Sequence, residues 1–306
     1  MKRKRLIAAA VCFLCASVLA ACKAAPPPAA YTAPYTYFTN GKFDVIETTA
    51  DNIMPQVIHS NVCATPYIGI NACFFDVSTN DGLGISWYAP TKDDGAQTHA
   101  QNSVGIPDAA SPDNDPVVAR GTICGYIDTA DPSGKTRVTV APVKYAAHTD
   151  DPNADYPAQM SNMEDTLKAM DPAYQPVYMI GGGSLYLGDP VKWAAARADE
   201  QWYDSQLVYR GEQSPNARTG IGYKTDNADG LVHVFLVSSH PGNGYDITTD
   251  DLRGCFIRLG CDGAIFLDGG ESVEMQCMKP DGTPYQKNPD NWDVYNMIRL
   301  LSPTMG

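Results

Sequence analysis

The chain has 306 residues, with 35 Asp and Glu against 22 Lys and Arg and a formal charge of −13. Such an acidic excess argues against nucleic acid and anionic membrane surfaces as partners. The length allows one sizeable core, and no fixed-period repeat divides it.

The first residues read as an export signal. Lys2, Arg3, Lys4 and Arg5 form a basic start, and Leu6 to Ala20 an apolar segment too short to span a bilayer. "LAAC" at 19–22 resembles a bacterial lipobox, which implies cleavage before Cys22 and lipidation of its thiol. An ordinary signal cut at an Ala-x-Ala site is the other reading. "KAAPPPAAYTAP" (23–34) is a Pro/Ala tether that cannot bury apolar surface. The expected organisation is a signal peptide at 1–21, a lipidated cysteine and tether at 22–40, and one globular domain at 41–306. The chain is then an exported lipoprotein on the extracytoplasmic side, touching the membrane through its lipid alone. Loss of residues 1–21 removes four basic residues and no acidic ones, leaving 18 against 35 and a charge of −17.

From about 43 to 88 short β-like runs alternate with turn residues, and "YIGINACFFDV" (67–77) is the densest apolar part. Residues 90–116 are rich in Asp, Asn, Pro and Gly and read as a loop. "VVARGTICGYI" (117–127) and "TRVTVAPVKY" (136–145) predict two strands joined by the turn at 131–134. "SNMEDTLKAM" (161–170) predicts a helix with a Ser cap, and "PVYMIGGGSLYLGD" (176–189) a strand running into three glycines. "ARTGIGYKTD" (217–226) and "LVHVFLVSSH" (231–240) predict a hairpin with its loop at 227–230. "TTDDLRGCFIRLG" (248–260) predicts a helix with Leu252, Cys255, Phe256 and Leu259 on one face. "GAIFLDGG" predicts a buried strand, and "NWDVYNMIRLL" (291–301) a closing helix with Trp292, Tyr295, Ile298 and Leu301 inward. Strands outnumber helices. The expected class is therefore α+β, with a mixed, largely antiparallel sheet and flanking helices in a single globular domain.

Cys12 and Cys15 lie in the signal and Cys22 at the lipid site, leaving Cys63, Cys73, Cys124, Cys255, Cys261 and Cys277. An even count in an exported chain suggests disulfides, with buried thiols as the alternative for some. No C-x-x-C pair occurs among these six, which argues against a cysteine zinc site.

Several strands end at glycine beside a polar residue: Asn71, Gly181–Gly183, Arg218 to Gly222, and Asp268–Gly270. Glycine there permits a positive φ or close approach of a ligand to backbone N–H groups. "GINACFF" (69–75), "IGGGSLYLGD" (180–189), "ARTGIGY" (217–223) and "FLDGGES" (266–272) resemble, in order and rough spacing, the G-I-N-G-G-F-F, G-G-G-P, R-T-A-I-G and D-G-G-G-S segments of the phosphodiester glycosidase family. The resemblance covers about residues 43–275. Glu271 departs from it, standing at the third glycine of D-G-G-G-S.

The resemblance implies hydrolysis of the bond between a sugar's anomeric carbon and a phosphodiester. A departing phosphate monoester has a second pKa of about 6 and leaves without a strong general acid. Its growing charge must be neutralised, and a carboxylate must face the oxocarbenium-like centre. Arg218 is the candidate phosphate clamp, or else an ion-pair partner at the sheet edge. Asp268 is the candidate nucleophile or base, or else an Asx-turn residue. Glu271 is either the partner carboxylate or a surface substitution. Asn71, Gly181, Gly182, Gly183, Thr219, Gly269, Gly270, Ser272 and His240 are candidates for substrate binding. His240 is the best placed of five histidines for proton transfer. For Asn71 the alternative is a buried loop satisfied, for the glycines a plain turn, and for His240 a structural role.

No cofactor is required, although Asp76 and Asp81 suggest a Ca²⁺ or Mg²⁺ site, with a solvated acidic turn as the plainer reading. The expected partner is a sugar phosphodiester or phosphorylated glycan. A carbohydrate- or envelope-binding lipoprotein that keeps the fold without turnover is the second functional reading.

Overall fold

The computed structural model describes residues 34–76, 81–82, 86–88, 118–145, 168–169, 171–198, 216–240 and 247–305. The export signal, most of the tether, the loop at 90–116 and nearly all of the predicted helix at 161–170 lie outside these residues. In chain order the first strands are β1 (Thr36–Asn40), β2 (Phe43–Thr49), β3 (Ile53–Ser60), β4 (Tyr67–Asn71), β5 (Phe75–Asp76), β6 (Asp81–Gly82), β7 (Ser86–Tyr88), β8 (Val118–Asp128) and β9 (Thr136–Tyr145). There follow β10 (Tyr174–Gly181), β11 (Gly183–Ser184), β12 (Thr219–Asp226), β13 (Leu231–Ser239), β14 (Gly263–Phe266), β15 (Met275–Met278), β16 (Pro284–Lys287) and β17 (Val294–Thr304). Two helices, α1 (Pro190–Ala198) and α2 (Thr249–Leu259), accompany them.

The strands form a six-stranded sheet β1-β2-β13-β12-β14-β11, a five-stranded sheet β16-β15-β4-β17-β3, a four-stranded sheet β7-β10-β8-β9 and the pair β5-β6. Every strand pairing among the described residues is antiparallel, which corrects the expected mixed sheet, and the fold is largely β. The predicted hairpins are present: Asp226 faces Leu231 across β12–β13, and Ile127 faces Thr136 across β8–β9. The sheet begins before residue 41, because Tyr35 donates to the Met278 carbonyl (2.8 Å) and β1 pairs with β2.

One face of the six-stranded sheet carries Ile46, Ile221, Leu236 and Ile265 into a core shared with Ile70 and Ile298 of the five-stranded sheet and Ile123 of the four-stranded sheet. The opposite face, with Phe43, Val45, Phe235 and Val237, is covered by Leu252, Cys255 and Phe256 of α2. This helix forms as the sequence predicts. Thr248 accepts from the Asp251 N–H while Asp251 accepts from the Thr248 N–H, a complete capping box, and Gly260 closes the helix at φ 74°.

The expected closing helix is a strand. β17 lies between β4 and β3, with Val294 to Ile298 and Leu300 buried, while Trp292 and Leu301 are exposed. A short continuous apolar run fits a two-sided buried strand as well as a helix face, so periodicity alone misled. The six cysteines are all free thiols, not the expected crosslinks. Burial pushes Cys63, Cys124, Cys255 and Cys277 up to about 12.

Candidate active site

The apolar strand β14 ends at Leu267, and the chain is gripped on both sides as it leaves the sheet. Leu267 N–H donates to the Thr219 carbonyl (2.9 Å), Asp268 N–H to Ala72 (3.1 Å) and Gly270 N–H to Ala217 (2.9 Å). Gly270 turns at φ 63°, and a Cβ on Gly269 would meet the Ala217 carbonyl at 2.8 Å. Both positions therefore need glycine. Asp268 Oδ1 accepts the Gly269 N–H (3.0 Å), so its side chain also serves the turn.

Asn71, at the end of β4, locks this turn. Its Nδ2 donates to the Asp268 carbonyl (2.9 Å), and its Oδ1 accepts from Thr219 Oγ1 (3.1 Å) and the Glu274 N–H (3.1 Å). Asn71 and Thr219 are buried, and their side chains bond to each other within this brace. Ser272 is buried at the end of the short 3-10 turn Gly270–Ser272.

Arg218 directly precedes β12. It is buried, and its Nη1 lies 3.5 Å from where a Gly269 Cβ would sit, so the guanidinium rests against the Asp268–Gly270 turn. Its N–H donates to Ser239 Oγ (3.2 Å), and its carbonyl accepts the Ser239 N–H (2.9 Å). The structure thus brings Asn71, Arg218, Thr219 and Asp268 to one turn from distant parts of the chain. Glu271 is exposed at its tip, with its backbone carbonyl held by Asn291 Nδ2, and so does not join Asp268 as a buried second carboxylate.

The glycine donors are not available. Gly182 N–H donates to Gly121 (3.0 Å), and the Gly269 and Gly270 N–H groups are engaged as described. Gly181 and Gly183 pair in β-ladders with Thr122 and Phe266. The three glycines are thus part of the sheet, not a cradle of free N–H groups. Asp76 and Asp81 are Cα partners in β5–β6, but their side chains lie outside the described ones. A separate group, Asp226, Asp229 and His233, sits at the far end of the β12–β13 hairpin. There the His233 ring nitrogens contact Glu47 (2.9 Å) and Asp229 (3.0 Å).

Sequence reasoning missed a second polar group beside Arg218. Asp44 of β2 is fully buried. It accepts from Tyr37 (2.7 Å) and Tyr285 (2.6 Å), and its two oxygens lie 3.0 and 3.1 Å from His240 Nδ1. The predicted proton carrier His240 is therefore oriented by a carboxylate, with its side chain 41% exposed. Burial first, then Asp44, pushes the Tyr37 and Tyr285 phenols well up. Lys287, ending β16, is buried and donates to Ser239 Oγ (3.3 Å). Burial lowers its pKa to about 8, against the pull of Asp44. These residues left no local motif, and of their strands only the region from about 43 was read as β-like.

A family model for phosphodiester glycosidases matches residues 68–301. Among solved structures, the chain is similar to the zebrafish N-acetylglucosamine-1-phosphodiester alpha-N-acetylglucosaminidase catalytic domain, auto-inhibited by its pro-peptide. That match has 15% identity and a TM-score of 0.50, covering 88% of this chain and 82% of that one. It is also similar to a hypothetical protein from Synechocystis at 14% identity and a TM-score of 0.43, covering 87% of this chain and 61% of that one. A protein from Burkholderia pseudomallei K96243 matches at 12% identity and a TM-score of 0.44, covering 85% and 74%. No curated protein sequence matches. The family match extends over most of the chain and spans the Asn71, Arg218 and Asp268 segments, so this chain belongs to the phosphodiester glycosidase family.

Proposed function

We propose that this chain is an exported hydrolase, tethered by a lipid on Cys22, that cleaves the bond between a sugar's anomeric carbon and a phosphodiester. The observation that carries this reading is the meeting of Arg218 with the Asp268–Gly270 turn, a guanidinium and a carboxylate on either side of one glycine. The half-buried Asp268 carboxylate faces the anomeric carbon, as nucleophile or as base for water. Arg218 neutralises the departing phosphate through its planar fork, and burial strengthens that interaction. In this reading His240, oriented by Asp44, carries the proton of the attacking water. Asn71 and Thr219 hold the Asp268 backbone in position.

The test is release of free reducing sugar, with the aglycone's phosphate monoester, from a sugar 1-phosphodiester. Asp268→Ala and Arg218→Ala should each lower kcat/KM about 100-fold or more, the scale set by loss of a catalytic or charge-stabilising group. Full activity in both variants would sink the site.

A further inference from the structure

The backbone donors of the glycine turns are engaged, so an anion in this site must be met by side chains. Arg218 is one. The other buried cation nearby is Lys287, 3% exposed, whose Nζ shares the Ser239 hydroxyl with the main-chain amide of Arg218: Ser239 Oγ accepts from Lys287 Nζ at 3.3 Å and from the Arg218 backbone N–H at 3.2 Å. An ammonium has three N–H donors, and this one makes a single hydrogen bond, to a neutral hydroxyl. The nearby carboxylate, Asp44, is occupied by Tyr37, Tyr285 and His240, and no described carboxylate lies within ion-pair reach of Lys287. One residue before Ser239, the buried Ser238 Oγ makes no hydrogen bond, and in register it sits between Thr219 and Asp44. A buried ammonium left with unmatched N–H groups costs heavily unless an acceptor completes it.

We propose that Lys287 is a second cation of the phosphate site, which therefore takes a phosphate monoester dianion in preference to a diester monoanion. This rests on the reading that Arg218 meets phosphate. The diester carries one negative charge and the monoester released from it two at neutral pH. Arg218 balances the first, and Lys287, across Ser239, the second. The depressed Lys287 pKa of about 8 agrees with an ammonium short of counter-charge. The product thereby becomes a ligand in its own right, and the enzyme is inhibited by the aglycone's phosphate monoester that hydrolysis releases.

The experiment measures binding of methyl phosphate and of dimethyl phosphate by calorimetry to the mature chain, to Lys287→Met, and to the hydrolytically disabled Asp268→Ala. The wild type and Asp268→Ala should both bind the monoester, the variant at least as tightly because a carboxylate beside the anion is gone. Lys287→Met should lose about 10- to 100-fold of monoester affinity, the range of a charge-assisted hydrogen bond, and little diester affinity. A wild-type titration from pH 6.5 to 9.5 keeps the test open if Lys287→Met does not fold. Monoester affinity should hold to about pH 8 and then fall as the ammonium deprotonates, since the ligand is a dianion throughout the upper range.

Asp44, Tyr37, Tyr285, Cys277 and His240 also face Lys287 or its carboxylate neighbour. The tyrosines and the thiol, all pushed upward, keep their protons in this window, and repeating the series in His240→Gln removes the imidazole. No monoester binding by the wild type, equal affinity in Lys287→Met, or affinity flat above pH 8 overturns the proposal. Lys287-dependent binding without hydrolysis leaves the inference standing and removes the enzymatic reading. Hydrolysis without that binding does the reverse.

Discussion

Glu274 shows how much one buried side chain can hold. It is fully buried, its Oε1 accepts from Asn61 Nδ2 (2.7 Å) and its Oε2 from the Val62 N–H (2.7 Å), and its own N–H bonds Asn71. Burial pushes its pKa from 4.5 to about 8, outweighing the lowering by those donors. A carboxyl with a raised pKa stabilises the fold most fully below about 4.5, and that contribution disappears as pH rises through 8. Urea unfolding at pH 5 and pH 8 should show a steep loss for the wild type and a flatter one for Glu274→Gln. At pH 5 the variant should be weaker by about 1–3 kcal/mol, because its amide N–H₂ confronts a backbone N–H. A wild-type slope unchanged in the variant would exclude Glu274 as its source. Asp268 and Arg218 were legible in the sequence because each sits in a recognisable short motif. Asp44 and Lys287 were not, since each is a lone charge in an ordinary strand and their meeting joins residues more than 240 positions apart.

At the level of elements, helix α2 and the β12–β13 hairpin were readable because their boundaries are written in local chemistry: a Thr/Asp capping box, a closing Gly260, and a turn at 227–230. Thr248→Ala removes the cap and should cost about 1 kcal/mol in chemical unfolding, with activity unchanged. A cost near zero would mean the Asp251 carboxylate caps the helix alone. β17 was unreadable for the opposite reason. Its ends carry no strand signal, and its buried run Val294–Ile298 obeys no single period because both faces are covered. The glycine-rich segment 181–183 looked like a ligand loop from composition, yet its backbone is consumed by sheet pairing with partners far away in sequence.

For the molecule as a whole, the antiparallel character followed from the density of short strands. The number of sheets and their order did not, because long-range pairing leaves no local trace. The cysteine count pointed to crosslinks, while the fold keeps the six as free thiols, Cys73, Cys124, Cys255 and Cys277 buried and Cys63 and Cys261 partly so. With Cys22 replaced, a thiol reagent should therefore modify the native chain slowly and titrate six thiols after denaturation without reductant. The melting temperature should not respond to reducing agent. Fewer than six reactive thiols would restore the disulfide reading.

The position of β17 has a consequence for how this sheet assembles. It is inserted between β4 and β3, strands that precede it by more than 200 residues. Until β17 docks, β3 and one edge of β4 lack their sheet partner, so this layer zips up only through a contact that spans nearly the whole described chain.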